Sequence, residues 1–273
     1  MKTRLTLAVI ASLLAAMFLF AACTAPAAPA DAPADDSWEY IKSQGKLIVG
    51  LDDTFAPMGF RDEAGELIGF DIDMAKAAGK LMGVEIVFQP VDWDSKELEL
   101  ENKKIDCIWN GLSLTPTREE ELNMSNAYLN NVIAIMSVDD VSVTKLEDLE
   151  GLTIGTQAAS AALEAMQASD IYSVISGNVS EYPSYDDVIM DMQAGRIQVM
   201  VVDLVLGEYK NSKLDAPFTV SSVTFGDDLY AIGMRKGDDA LTAKINETLK
   251  TLIENGTAAK ISEEWFGRDI VIK

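Results

Sequence analysis

The chain has 273 residues, of which 48% are hydrophobic and 24% are charged, and this composition is typical of globular proteins with a buried core. Its formal net charge of −22 repels nucleic acid and anionic lipid headgroups, so a nucleic-acid partner is not expected. The absence of histidine removes the most common proton carrier near neutral pH and the most common metal ligand. We therefore expect no bound metal and no cofactor.

The amino terminus has the pattern of an export signal. Lys2 and Arg4 precede an apolar, uncharged stretch over residues 5–22, which ends in small residues immediately before Cys23. This arrangement resembles a bacterial lipoprotein signal, in which the cysteine carries the lipid after cleavage. We predict a signal peptide over residues 1–22 and a lipid anchor at Cys23. The alternative is an uncleaved membrane helix.

The segment after the signal, residues 23–36, consists mainly of Ala, Pro and Asp. It cannot bury apolar area, so we predict an extended tether. The folded body is expected to begin near Ser37, and no later segment is long and apolar enough to span a bilayer. The predicted location is the extracytoplasmic face of the bacterial cell membrane.

Strands and helices alternate along the body. Period-two and helical patterns predict strands at residues 46–51, 84–91, 105–109, 152–156, 197–202 and 230–234, a hairpin at 60–70, and helices at 71–81, 95–103, 184–194 and 239–255. Further helices are predicted to open at Thr115-Pro116 and at Ala159-Ser160-Ala161, and a capping box at Thr144-Lys145-Leu146-Glu147. This alternation predicts an α/β fold with mostly parallel sheets.

Polar residues follow three of the predicted strands. Asp52, Asn110 and Asp203 each stand at or just beyond a strand's carboxyl end. In open α/β sheets, ligands bind beyond these ends. The sequence therefore predicts a binding site that includes these side chains.

Four segments of the body carry a family resemblance. They are Lys46–Gly50 continuing through Thr54–Pro57, Leu67–Asp73, Asn110–Arg118, and Asn255–Thr257 together with Trp265–Gly267. In this order and spacing they resemble the amino-acid-binding (family 3) extracellular solute-binding proteins of ABC importers.

The resemblance implies a two-lobe periplasmic-binding-protein (Venus flytrap) fold, with two mixed, mostly parallel sheets joined by two hinge crossings. Lobe 1 would comprise residues 37–128 and 227–273, and lobe 2 would comprise residues 129–226. The crossings would lie near residues 128–130 and 225–227. The implied function is the capture of a free L-amino acid, polar or basic, by a monomeric protein that delivers it to an ABC import permease.

The same resemblance implies which residues hold the backbone of the amino acid. Arg118 would bind the carboxylate and Asp203 the ammonium, because a buried zwitterion needs a partner for each charge. Main-chain and hydroxyl groups would complete the site at Gly111, Ser113, Ser160 and Ala161. The alternatives are a surface arginine at Arg118 and plain helix caps at Asp203 and Ser160.

Other positions match the pocket for the ligand's side chain. These are Asp52, Phe55, Trp93, Asn110 and Gln157. The two aromatic rings could contact an aliphatic stem or a cationic head, or belong to the core. Trp109 and Cys107 are predicted to be core residues, the cysteine as a free thiol.

Three other functions remain open from the sequence. The first is a secreted enzyme of the cyclohexadienyl dehydratase type on the same fold. The second is a ligand-sensing ectodomain, and the third is a surface adhesin. Lack of histidine argues against the enzyme, although carboxylate chemistry stays possible.

Overall fold

The computed structural model describes residues 35–273, which form one compact unit. Its α-helices are α1 Ser37–Gln44, α2 Phe70–Met82, α3 Lys96–Glu101, α4 Pro116–Glu121, α5 Ala161–Ala168, α6 Tyr172–Ile175, α7 Tyr185–Gln193, α8 Leu204–Asn211, α9 Asp239–Glu254 and α10 Thr257–Phe266. Its strands are β1 Lys46–Leu51, β2 Thr54–Phe55, β3 Gly59–Arg61, β4 Leu67–Ile68, β5 Glu85–Pro90, β6 Cys107–Ser113, β7 Leu122–Met124, β8 Leu129–Ser137, β9 Ile154–Gln157, β10 Val179–Tyr182, β11 Val199–Asp203 and β12 Thr219–Arg235. Short 3₁₀ helices cover Trp93–Ser95, Leu146–Leu149 and Ser176–Asn178.

Most of the strands belong to one mixed sheet. Its order is β10-β9-β11-β8-β12-β6-β1-β5, with β7 paired to β12. Strands β1, β5 and β6 are parallel and form the amino-terminal strand group, whereas the parallel strands β9, β10 and β11 form the central strand group. The α/β architecture with two sets of parallel strands is confirmed.

The expectation of two separate sheets needs a correction. Strands β8 and β12 pair antiparallel from Thr219 opposite Ser137 to Tyr230 opposite Leu129. β8 also pairs with β11, and β12 also pairs with β6. Because this ladder runs through both predicted crossings, the two strand groups share one hydrogen-bonded sheet of nine strands.

Burial explains why strands β6 and β11 form where they do. Every residue of β6 and of β11 is buried, which is typical of strands covered by helices on both faces. Helix α9 buries Leu241, Ile245, Leu249 and Leu252 along one face, as its spacing predicts. Trp109 and Cys107 are fully buried and the thiol is free, so both core predictions are confirmed.

Several elements differ from the sequence prediction. β6 continues to Ser113 instead of ending at residue 109, and β12 begins at Thr219 instead of at residue 230. β8 has no counterpart in the prediction. At the predicted capping box, Asp148 rather than Glu147 accepts from the Thr144 and Lys145 backbone N–H groups. In each case a tertiary partner or a neighbouring carboxylate decides the local geometry.

Within residues 35–273, no helix has both the length and the apolar character needed to cross a membrane. The predicted signal peptide, the lipid anchor at Cys23 and most of the tether lie outside the described residues.

Candidate functional site

Side chains at the carboxyl ends of both strand groups meet in one buried region. Asp52 directly follows β1, while Gln157 and Asp203 end β9 and β11. The Gln157 Nε2 donates to Asp52 Oδ2 at 2.7 Å and to the Pro183 carbonyl at 2.9 Å. The two strand groups are therefore in direct hydrogen-bonded contact at the carboxyl ends of their strands.

Arg118 is the central cation of this region. It lies on α4, whose first turn is capped by Thr115, and only 6% of its surface is exposed. Its Nη1 donates to the Ser113 carbonyl at 3.0 Å and its Nη2 to the Ala159 carbonyl at 3.3 Å. It forms no ion pair with a carboxylate of residues 35–273. The surface-arginine alternative is excluded, and the guanidinium has N–H groups left for an anion.

Lys96 is a second buried cation that sequence reasoning missed. It is 1% exposed and its Nζ donates to the carbonyls of Trp93 at 3.1 Å and Ala159 at 3.3 Å. It pairs with Glu97 at 3.0 Å and lies 4.7 Å from the centroid of the Trp93 ring. Burial, and next the charge of Arg118, lower the pKa of Lys96 to about 8. Two cations thus converge on one carbonyl oxygen.

Asp203 supplies a buried anion on the other side of the site. Its Oδ1 accepts from Asn131 Nδ2 at 2.6 Å and from the Tyr230 hydroxyl at 2.9 Å. Its side chain makes no cap bond to α8, so the alternative of a plain helix cap is excluded. Burial, and next the charge of Asp228, raise the pKa of Asp203 to about 7.

Asp52 is the second buried carboxylate of this region. Its Oδ1 accepts from the Thr54 N–H at 2.9 Å and the Thr54 hydroxyl at 2.7 Å. Burial raises the pKa of Asp52, and no Lys or Arg of residues 35–273 forms an ion pair with it. The carboxylate is satisfied by hydrogen bonds but not neutralised by a cation.

Asp71 holds the middle of β6. The Gly111 N–H donates to Asp71 Oδ2 at 2.7 Å, the Trp109 indole N–H to Oδ1 at 3.2 Å, and the Tyr128 hydroxyl to both oxygens. Burial raises the pKa of Asp71 to about 7. Asn110 is fully buried, and its Oδ1 accepts from the Asp52 N–H at 3.1 Å, while its Nδ2 has no hydrogen-bond partner within residues 35–273.

Aromatic rings surround Gly111. Phe55 stacks on Trp93 with ring centroids 6.4 Å apart and lies 6.2 Å from Tyr185. Gly111 has a φ of 58°, and a Cβ there would lie 2.9 Å from the Phe55 ring and 3.1 Å from the Tyr230 ring. Glycine is therefore required at this position by both conformation and space.

The start of α5 faces the two cations. Ser160 caps the helix by accepting from the Leu163 N–H at 3.1 Å, as the capping alternative proposed, and its hydroxyl also lies 3.3 Å from Thr156 Oγ1. Ala161 is buried at the first helical position. Ala159 has a φ of 52°, a left-handed conformation that aims its carbonyl at Arg118 and Lys96.

The structure brings every sequence-predicted site residue into this region or its immediate support. It adds Lys96, Asp71, Asn131 and Asp228, which the sequence reading did not select. Asp71 stands in the segment Leu67–Asp73 that carried the resemblance, so a signal for it existed. The other three lie in segments with no motif, and only their contacts in the folded protein identify them.

A two-lobed α/β fold with a buried cation and buried carboxylates between its strand groups defines the class of a small-molecule binding protein. The profile of the bacterial extracellular solute-binding proteins, family 3, matches residues 47–268, and the chain belongs to that family.

Individual relatives agree with this assignment. The L-cystine-binding protein TcyJ of Escherichia coli (strain K12) is 26% identical over 232 residues, covering 84% of this chain and 86% of TcyJ. The arginine-binding extracellular protein ArtP of Bacillus subtilis is 27% identical, covering 92% of this chain and 96% of ArtP. An ABC uptake transporter substrate-binding protein from Streptococcus pneumoniae, solved with bound histidine, has a TM-score of 0.83 at 32% identity, covering 89% of this chain and all of that one.

Replacing Asp71 by Asn is expected to destabilise the protein by about 1–3 kcal/mol, because at least one of the three donors would face an amide N–H instead of an oxygen. Urea unfolding measures the change. Asp94→Asn, at an exposed position, is the control and is expected to leave stability unchanged. Equal midpoints for the two variants would contradict the role given to Asp71.

Proposed function

We propose that the protein binds a free L-amino acid with a polar or basic side chain and delivers it to an ABC import permease. The observation that carries the proposal is a buried arginine without a carboxylate partner, placed close to a buried aspartate without a cation partner, within residues 35–273. A zwitterion supplies the missing charge to each.

The charges of the site support a polar or basic ligand. Arg118 would take the carboxylate and Asp203 the ammonium, and those two pairs leave Asp52 without a counter-charge. A cationic or hydrogen-bonding side chain beside Phe55 and Trp93 would compensate Asp52. The names of ArtP and TcyJ, one arginine-binding and one L-cystine-binding, describe ligands of these kinds.

We further propose that the body works as two lobes, residues 37–128 with 227–273 and residues 129–226. One apolar cluster draws only on residues 48–124 and another only on residues 133–225, whereas the largest cluster includes residues of both proposed lobes and joins them. The hydrogen bonds from Lys96 and Arg118 to Ala159, and from Gln157 to Asp52, join the two sets of residues. Hinge closure around a ligand would form these contacts, and the importer would recognise the closed surface.

The remaining parts of the proposal concern location and chemistry. We propose an extracytoplasmic monomer anchored through a lipid on Cys23, and a binding protein rather than an enzyme. The family's description as extracellular supports the location, and the names of its relatives support a binding protein. The lipid anchor rests on the sequence before Cys23 alone. Turnover of prephenate or arogenate by the purified protein would favour the dehydratase alternative.

A thermal-shift screen against the protein amino acids, L-ornithine and L-cystine tests the function. An amino acid at about a hundredfold its Kd is expected to stabilise the protein by about 2.7 kcal/mol. Arg118→Ala is expected to abolish the shift, because the carboxylate loses its cation. Arg268→Ala, at an exposed arginine, is the control and is expected to keep it. The same shift in both variants would remove Arg118 from the site.

Asp52→Ala is expected to change the order of preference among amino acids more than it weakens all of them. Loss of this carboxylate removes the compensation for a basic side chain but leaves Arg118 and Asp203 in place. Affinities of L-arginine, L-histidine and L-glutamine for the variant, measured by calorimetry, decide the point. A uniform loss across all three would show that Asp52 does not set specificity.

Lys96→Met is expected to weaken amino-acid binding roughly threefold to thirtyfold, because the charge-assisted bond to the Ala159 carbonyl is lost. The ligand-free protein is expected to unfold at the same or a higher urea concentration, since methionine avoids burying an ammonium. Lys104→Met, at an exposed lysine paired with Glu99, is the control. Unchanged affinity in Lys96→Met would show that this bond does not support the bound state.

A further inference from the structure

Two carboxylates in the site are linked by a single amide group. Asn131 Nδ2 donates to Asp203 Oδ1 at 2.6 Å and to Asp228 Oδ2 at 2.8 Å, so these oxygens lie within about 5.4 Å of one another. Each also accepts from one hydroxyl, that of Tyr230 at 2.9 Å and that of Ser113 at 2.8 Å. The two carboxylates therefore belong to one hydrogen-bonded cluster.

No protein cation neutralises this cluster. Neither carboxylate forms an ion pair with a Lys or Arg of residues 35–273. The charge of Arg118 acts to lower the pKa of both Asp203 and Asp228, but the guanidinium gives its hydrogen bonds to the carbonyls of Ser113 and Ala159. The Asp203–Asp228 pair therefore lacks a cation in direct contact with either carboxylate.

The charge of the empty cluster follows from its surroundings. Burial raises the pKa of Asp228, and burial with the charge of Asp228 raises the pKa of Asp203. The groups that face the pair are the neutral side chains of Asn131, Ser113, Tyr230 and Tyr185, and the cation Arg118. Two like charges this close and this buried do not both ionise readily, so they titrate as a pair.

We propose that Asp228 is a second carboxylate receptor for the ligand's ammonium, and that Asp203 and Asp228 share one proton until the ammonium replaces it. This inference rests on the proposed function. An ammonium carries the positive charge and several N–H donors, so it can donate to both carboxylates at once. The displaced proton passes to the solvent, and the ligand keeps its own protons.

The geometry gives the proton a way out. Asp203 is 3% exposed, but Asp228 is partly exposed and lines a cavity of about 550 Å³ between the Leu114–Thr117 loop and α5. Binding coupled to proton release strengthens as pH rises, because fewer protons compete for the site. Affinity is expected to rise roughly tenfold per pH unit between about pH 5 and pH 7 and then level off.

Calorimetric titration with L-arginine, L-lysine and L-glutamine as probes tests the inference, because their side chains do not change protonation between about pH 6 and about pH 8. Each is run at about pH 6 and about pH 8 in buffers of low and high ionisation enthalpy, so that the difference in heat counts the protons released. Release of nearly one proton per bound amino acid is expected at about pH 6, and little at about pH 8.

Variants separate this role from a structural one. In Asp228→Asn, Asp203 has no partner with which to share a proton and its pKa falls, so release at about pH 6 is expected to decrease and the pH dependence to flatten. Affinity at about pH 8 is expected to fall roughly tenfold. Asp227→Asn, the exposed neighbour on the same strand, is the matched control and is expected to release the proton as the unmodified protein does.

The outcomes are distinct. Binding of any probe by the unmodified protein without proton release at about pH 6 overturns this inference and leaves the proposed function standing. The same proton count in Asp228→Asn as in the unmodified protein also overturns it. If Asp228→Asn does not fold, the count on the unmodified protein decides. Failure of every probe to bind overturns the proposed function, and this inference with it.

Discussion

The interaction on which the rest of the site depends is the neutralisation of buried charge. Arg118 and Asp203 are both almost completely buried, and neither has a protein counter-ion within residues 35–273. An unpaired buried charge is costly, and the cost is retained in a protein when a ligand removes it. The fold supplies these charges from two different strand groups, so a single small zwitterion joins both.

The supporting residues follow from that constraint. Asp71 fixes β6 by accepting hydrogen bonds from Trp109 and Gly111, and Gly111 in turn leaves space for the rings of Phe55 and Tyr230. Ala159 adopts a left-handed conformation, which costs about 1–2 kcal/mol for a residue other than glycine. The conformation directs its carbonyl at the two cations, so local strain and long-range electrostatics are linked at one residue.

Much of the fold could be predicted from the sequence because its signals are local. The helix over Phe70–Met82 shows an apolar face and a terminating glycine, and the caps at Thr115, Ser160 and Ser184 are evident from residue type. The long strands β8 and β12 could not be predicted in the same way. Their pairing joins residues separated by about eighty or more positions, and polar residues interrupt their apolar pattern.

The residues of the site also fall into those that the sequence predicts and those that it does not. Asp52, Asn110 and Asp203 follow from their place at strand ends, and Arg118 follows from the family resemblance. Lys96 could not be found because it stands in a run of charged residues on a short helix, where a solvated lysine is the ordinary expectation. Asp228 and Asn131 lie in the segments that link the two strand groups, and only the three-dimensional contact between β8 and β12 brings them to Asp203.

A crystal structure with the best-binding amino acid would test the central claim most directly. The account predicts the ligand carboxylate on the Arg118 guanidinium and the ligand ammonium on Asp203, with the side chain directed toward Asp52. An amino acid bound elsewhere would contradict it. An amino acid bound in the opposite orientation, with its ammonium away from both Asp203 and Asp228, would contradict it as well.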